Sequence, residues 1–158
     1  MKMKKIISIL FALLVAVIPL SFAVSGEEIP DERQLPRLVD DAELLDSDEA
    51  DELLTLLDRL SEEVQSDIVV VTVNSLDGKS VVDYADDFYD YNGYGYGEDR
   101  DGIILLINMG ERDVHIGDCG YVYHALSQKQ LDRLRDQVTP YLSSGDYYTA
   151  FRTFAGRS

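Results

Sequence analysis

The pattern of hydrophobic and polar positions divides most of the chain into alternating strands and helices. Two continuous apolar runs, Ile68 to Val73 and Ile103 to Ile107, are typical of strands that are buried on both faces of a sheet. A third run, Arg112 to Ile116, alternates apolar with polar residues, which predicts an antiparallel strand with one wetter face. Apolar residues at helical spacing predict four helices, which begin at Asp46, Ser80, Ser127 and about Asp146.

Residues around these segments refine the prediction. Ser127 begins a capping box, and we expect Pro140 to kink or end the helix that follows. Residues 37–39 could form a short strand that ends at the acidic pair Asp40-Asp41. Because strands and helices alternate, we expect an α/β fold, a three-layer sandwich in which a mixed central sheet carries helices on both faces.

The first 25 residues have the pattern of an export signal. Three lysines precede an apolar run from Ile6 to Leu20, and small residues end at Ser25. The run is short for a membrane span, which needs about 20 residues, and an uncleaved N-terminal anchor is the alternative. Residues 26–36 are polar and predict a linker, and residues 37–158 then form one domain with no further membrane span. We therefore expect an exported protein, extracellular or in the cell envelope.

The charge balance excludes some classes of function. The chain has 30 Asp+Glu against 14 Lys+Arg, which gives a formal net charge of −16 at pH 7. Such a charge opposes binding to nucleic acid, because that affinity comes largely from cations that neutralise phosphates. The single cysteine, Cys119, excludes an intramolecular disulfide and a zinc site built from cysteines.

Two short acidic segments are candidates for binding a divalent cation. Asp99 and Asp101 lie in a turn before a buried strand, and closely spaced carboxylates can converge on Ca²⁺ or Mg²⁺. The turn lacks the key carboxylates of an EF-hand loop, and a solvated turn is the alternative. Asp40 and Asp41 follow another strand and could meet this turn at one end of the sheet. The alternative for that pair is a role in the turn or in the approach to the next helix.

Arg112 begins the alternating strand beside an acidic loop. The simpler interpretation is an ion pair with a neighbouring carboxylate. The other interpretation is that its guanidinium holds an anionic substrate by two parallel hydrogen bonds.

Six short segments, in this order along the chain, resemble the TPM domain family, which is shared by exported bacterial proteins and a thylakoid-lumen protein of photosystem II repair. The resemblance covers nearly all of residues 38–156. The segments are Val39-Asp40-Asp41-Ala42, Asp67 to Val73, Tyr84-Ala85, Asp99-Arg100-Asp101-Gly102 with the apolar run after it, Arg112 to Ile116, and Cys119-Gly120-Tyr121.

The resemblance implies a Rossmann-like sheet and an aspartate cluster that holds Ca²⁺ or another divalent cation, such as Mg²⁺ or Mn²⁺. By position, the metal ligands would be Asp40, Asp41, Asp99 and Asp101. The implied function is a cation-binding module that assists the assembly or repair of a membrane-protein partner at the cell envelope. The alternative is a metal-dependent acid phosphatase that hydrolyses phosphomonoesters, with Asp40, Asp101 and Arg112 as catalytic residues.

Overall fold

The computed structural model describes residues 29–120 and 126–157. The predicted signal peptide, the first part of the predicted linker and Tyr121 lie outside the described residues, so the division into signal, linker and domain stays a prediction. Within this part of the chain, no helix has the length and apolar character that a membrane-spanning helix needs.

The described part of the chain forms four strands and four helices in the predicted order. The boundaries lie within a few residues of the predicted ones because capping residues and apolar runs define them. They are β1 (Leu38–Asp40), α1 (Ser47–Val64), β2 (Asp67–Val73), α2 (Val81–Tyr91), β3 (Gly102–Asn108), β4 (Asp113–Cys119), α3 (Gln128–Ser144) and α4 (Tyr147–Ala155).

Helix α3 does not end at its proline. It continues through Pro140 to Ser144 and ends at Gly145, which has a positive φ of 78°. Pro140 is exposed, so the carbonyl that loses its helical partner there can hydrogen-bond to water. The glycine supplies the left-handed conformation that commonly ends a helix.

The sheet has the strand order β1-β2-β3-β4. The first three strands are parallel, and β4 is antiparallel to β3. Asp40 is aligned with Thr72 where β1 finishes, and Asp67 is aligned with Gly102 where β2 and β3 start. The parallel strands therefore define a carboxyl end of the sheet, at Asp40 and Asn108, and an amino end, at Asp67 and Gly102.

Helices cover both faces of this sheet, as predicted. Ile68 and Val70 of β2 pack in one core with residues of α1, α3 and α4. Val69 and Val71 point to the other face and pack with residues of α2. The alternation of side chains along a strand thus divides the core into two layers, and the three-layer α/β sandwich is confirmed.

The two parallel crossovers have opposite hands. The chain crosses the sheet in one direction, from β1 to β2 and then to β3, while α1 and α2 cover opposite faces. Two right-handed crossovers in the same direction would place both helices on one face. One of the two is therefore left-handed, although nearly all such connections in proteins are right-handed.

Candidate functional site

The four candidate aspartates lie at opposite ends of the sheet. Asp40 and Asp41 stand where β1 finishes, at the carboxyl end, whereas Asp99 and Asp101 precede β3, at the amino end. Seven-residue strands separate the two pairs by about 20 Å at the usual rise per residue. The prediction that the two pairs meet is wrong, because one pair follows its strand and the other precedes a strand that runs in the same direction.

These aspartates do not fit a single metal centre. In residues 29–120 and 126–157, no group of three or more His, Cys, Asp or Glu side chains is arranged to hold a metal ion. The catalytic set of the phosphatase alternative is also divided, since Asp101 lies at the amino end while Asp40 and Arg112 lie at the carboxyl end.

Hydrogen bonds within the protein occupy both carboxylate oxygens of Asp40. Its Oδ1 accepts hydrogen bonds from the Leu44 N–H, at 3.1 Å, and from the Thr72 hydroxyl. Its Oδ2 accepts from the Leu45 N–H at 2.9 Å. Asp40 therefore fixes the turn between β1 and α1, which is the alternative role considered for it.

Replacing Asp40 by Ala should lower the free energy of unfolding by about 1–3 kcal/mol, because two amides and one hydroxyl lose their acceptor. Urea unfolding of the purified protein measures this loss. Asp41→Ala is the matched control, since the Asp41 side chain is exposed and its removal should change stability by less than about 0.5 kcal/mol. Equal losses in the two variants would contradict the role assigned to Asp40.

Asp41 and Asp77 come from different loops and lie near the same tyrosine at the carboxyl end. Burial raises the pKa of the Tyr84 hydroxyl, and the charges of Asp77 and Asp41 raise it further, while Lys79 acts in the opposite direction. The Asn74 Nδ2 donates to the Asp41 backbone carbonyl at 3.4 Å, which joins the two loops. Asp41, a predicted residue, and Asp77, which was not predicted, therefore lie on two loops that a hydrogen bond joins.

A cavity of about 340 Å³ lies at the same end of the sheet, between the β2–α2 loop and the β3–β4 turn. Asn108 lines it and is 1% exposed. Its Oδ1 accepts from the Gly110 N–H at 3.1 Å, and its Nδ2 has no hydrogen-bond partner among the described residues. A Cβ at Gly110 would overlap the Asn74 carbonyl oxygen, so the close approach of turn and loop requires glycine.

A buried ion pair organises the amino end of the sheet. Arg37 is 6% exposed and Asp67 is 3% exposed, and the Arg37 Nε donates to the Asp67 Oδ1 at 2.7 Å. The Asp67 Oδ2 accepts from the Gly95 N–H, also at 2.7 Å. Burial alone would lower the Arg37 pKa, but hydrogen bonds to Asp67, Asp58 and Glu62 outweigh it and raise the pKa. This pair was not predicted, because its one signal in the sequence is a charge at the start of each strand.

The acidic turn before β3 is closed by its own backbone. Tyr96 and Asp101 exchange two backbone hydrogen bonds, at 2.9 and 3.1 Å. Arg100 reaches out of the turn and donates from Nη2 to the Pro30 carbonyl at 2.6 Å. Asp99 is exposed. This geometry favours the solvated turn over a cation site.

Arg112 lies on the exposed turn between β3 and β4, with a positive φ of 60°. None of the ion pairs between described residues involves it, so the expected pairing with a carboxylate is not formed. The reason is its position, since the turn carries Arg112 to the carboxyl end and the acidic loop before β3 lies at the amino end.

His115 and Cys119 on β4 are not activated for catalysis. Burial lowers the pKa of His115, although Asp86 acts to raise it, and the imidazole is therefore neutral at pH 7. Burial raises the pKa of the Cys119 thiol, with Asp86 and Asp90 adding to the effect. A protonated thiol is a poor nucleophile.

Comparison with known proteins places this geometry in context. The TPM domain family matches residues 38–158. The UPF0603 protein YdjH of Bacillus subtilis (strain 168) is 31% identical over 115 residues, which cover 73% of this chain and 43% of that protein. The chain therefore spans less than half the length of this relative.

Solved structures show the same fold at low sequence identity. The N-terminal domain of the cg2496 protein from Corynebacterium glutamicum has a TM-score of 0.60 at 20% identity, covering 82% of this chain and 81% of that chain. The N-terminal domain of a protein from P. gingivalis has a TM-score of 0.65 at 19% identity, with coverages of 80% and 83%. The BA42 protein from Bizionia argentinensis has a TM-score of 0.61 at 13% identity, with coverages of 73% and 81%.

Proposed function

Because the chain belongs to the TPM domain family, we propose that it is an exported, non-catalytic module that binds a divalent cation at the carboxyl end of its sheet. In this proposal the module assists the assembly or repair of membrane proteins at the cell envelope. The observation that carries the cation site is the hydrogen bond from Asn74 to the Asp41 backbone carbonyl, which joins the loops that carry Asp41 and Asp77. The export pattern of the first 25 residues supports the location.

The donor groups at this position suit a hard cation. Ca²⁺ takes six to eight oxygen ligands from carboxylates, amide and backbone carbonyls and water. Asp41 and Asp77 supply carboxylates, and Asn74, whose Nδ2 donates to the Asp41 carbonyl, leaves its amide oxygen as a neutral ligand. Two carboxylates on exposed loops make a weak site, with an expected Kd of about 10⁻⁴ to 10⁻³ M, the range of extracellular calcium modules.

The chemistry of the described residues favours binding over catalysis. The carboxylate of Asp40 is occupied by backbone and hydroxyl donors. His115 is neutral and Cys119 is protonated. A metal-dependent phosphatase would need Asp40, Asp101 and Arg112 in one site, and the register of the sheet separates them.

Titration of the purified protein with CaCl₂, followed by NMR, tests the cation site. Backbone amides near Asp41 and Asp77 should shift with a Kd of about 10⁻⁴ to 10⁻³ M, and the double variant Asp41→Asn, Asp77→Asn should bind at least about tenfold more weakly, since both carboxylate ligands are lost. The matched control is Glu98→Gln, Asp99→Asn, which removes two carboxylates from the amino end and should keep the affinity of the native protein.

Three results would contradict the proposal. They are the absence of any shift up to about 10 mM Ca²⁺, well above the expected Kd, shifts confined to the acidic turn before β3, and an equal loss of affinity in the two double variants. Hydrolysis of an aryl phosphate that requires added metal and is abolished by Asp40→Ala would support the phosphatase alternative instead.

A further inference from the structure

Strand β4 is an edge strand of the sheet that the described residues form. It pairs with β3 over all seven of its residues, and in the described part of the chain no strand lies on its other side. An edge strand presents a row of N–H and C=O groups with which an extended peptide can pair. We propose that the outer side of β4 binds an extended, basic peptide segment of a partner protein, which adds a strand to the sheet.

A groove of about 340 Å³ lies beside this open strand. Residues 115–118 of β4 line it, together with Val82 and Asp86 of α2 and Leu131 and Arg135 of α3. Val82 is 45% exposed and presents apolar surface to the groove. The groove therefore offers an apolar contact for side chains of a peptide that pairs with β4.

Two polar atoms in the groove are buried without a partner. The Asp118 Oδ2 is an acceptor that makes no hydrogen bond with the described residues. The Arg135 Nε is a donor that likewise makes no hydrogen bond with them. Buried polar groups in folded proteins are normally satisfied. A peptide backbone supplies both an N–H donor and a C=O acceptor, the two kinds of group that these atoms lack.

The charges around the groove favour a basic peptide. Partial burial raises the pKa of the Asp86 carboxyl, and repulsion from Asp90, Asp83 and Asp87 adds to this effect, while His115 opposes it. The imidazole of His115 is neutral at pH 7 because burial lowers its pKa. Among the residues that line the groove, the positive charge therefore comes from the guanidinium of Arg135. Lysine or arginine side chains of a peptide would offset the acidic groups of α2, and the net charge of −16 would accelerate encounter with such a peptide.

A fluorescein-labelled hexapeptide of alternating Lys and Val is the probe, because alternate side chains of an added strand point to opposite faces. Fluorescence anisotropy with the full chain should show saturable binding, and hydrogen exchange should slow at the β4 amides that do not bond to β3. The same peptide with N-methylated backbone amides keeps its charge but cannot pair, and it should bind at least about tenfold more weakly. A Glu-Val hexapeptide should show a similar loss.

Two double variants test the site within the protein. Asp86→Asn, Asp118→Asn should weaken binding of the Lys-Val peptide by about tenfold, whereas Asp48→Asn, Asp51→Asn, which makes the same charge change on the exposed side of α1, should change it by less than about twofold. Asp41→Asn, Asp77→Asn should leave peptide binding unchanged, so failure of the cation site and failure of this groove are distinguishable.

Four outcomes would overturn the proposal. The N-methylated peptide could bind as tightly as the parent peptide, which would show attraction by charge alone. Exchange could slow elsewhere than in β4, or the β4 amides that do not bond to β3 could already be protected in the free chain by its own residues. Sedimentation could instead show that a second copy of the chain occupies the strand.

Discussion

Replacing Asp67 by Ala should lower the free energy of unfolding by about 3–5 kcal/mol, the usual cost of removing one partner of a buried ion pair. The substitution leaves the guanidinium of Arg37, which is 6% exposed, with only the exposed carboxylates of Asp58 and Glu62 as partners. It also leaves the Gly95 N–H without its acceptor. Small domains have total stabilities of about 5–15 kcal/mol, so the substitution should remove a large fraction of the stability. Urea unfolding, followed by circular dichroism, measures the change.

An exposed ion pair in the same protein provides the control. Arg59 and Glu63 on α1 are also 2.7 Å apart, but their side chains are 56% and 55% exposed. Glu63→Ala should therefore cost no more than about 0.5 kcal/mol. Replacing both Arg37 and Asp67 by Leu should recover much of the loss, because no unpaired charge remains buried. A loss for Asp67→Ala as small as that for Glu63→Ala would show that the pair does not stabilise the amino end.

Gly102→Ala should be the second large effect, with a loss of at least about 1–3 kcal/mol from overpacking. Gly102 is buried at the start of β3, and a Cβ there would overlap the Tyr89 hydroxyl oxygen and lie 2.7 Å from the Asp67 carbonyl oxygen. Tyr89 is 1% exposed, so its ring has no free space to move into. The midpoint of urea or thermal unfolding measures the effect, and Gly156→Ala is the control, since a Cβ there meets nothing closer than 3.4 Å.

The Tyr89 hydroxyl makes this prediction testable by rescue. It is buried and has no hydrogen-bond partner in residues 29–120 and 126–157, and Tyr89→Phe alone should therefore cost less than about 1 kcal/mol. Combined with Gly102→Ala, the Phe substitution should recover part of the loss, but not all, because the ring carbon Cζ also lies 2.9 Å from the added Cβ. Strictly additive losses in the double variant would mean that the two groups do not collide.

The elements of the fold could be predicted because each is defined by local chemistry. Asp46 accepts the Asp48 and Glu49 amides at the start of α1, and Ser80 accepts the Asp83 amide at the start of α2. The runs that became β2 and β3 are buried at every residue, as continuous β-branched and aliphatic sequences are expected to be. Local propensity and burial agree at these positions, and this agreement explains why the helices and strands could be predicted from the sequence.

The candidate site was harder to predict because it depends on contacts between distant segments. Asp41 and Asp77 lie 36 positions apart in the sequence, and only the packing of the β1–α1 and β2–α2 loops brings them to the same tyrosine. Arg37 and Asp67 meet because β1 pairs with β2 in one particular register. The four aspartates are separated because β1 and β3 run in the same direction. A residue that follows one strand and a residue that precedes another, parallel strand lie at opposite ends of the sheet.

The opposite hands of the two crossovers create the place where the cation site is proposed. In doubly wound sheets, a ligand crevice opens where the strand order reverses, because neighbouring loops then leave toward opposite faces. The parallel strands of this sheet never reverse their order, yet the chain leaves β1 toward α1 on one face and leaves β2 toward α2 on the other. A change of hand thus replaces a change of direction and sends the loops that carry Asp41 and Asp77 toward helices on opposite faces of the sheet.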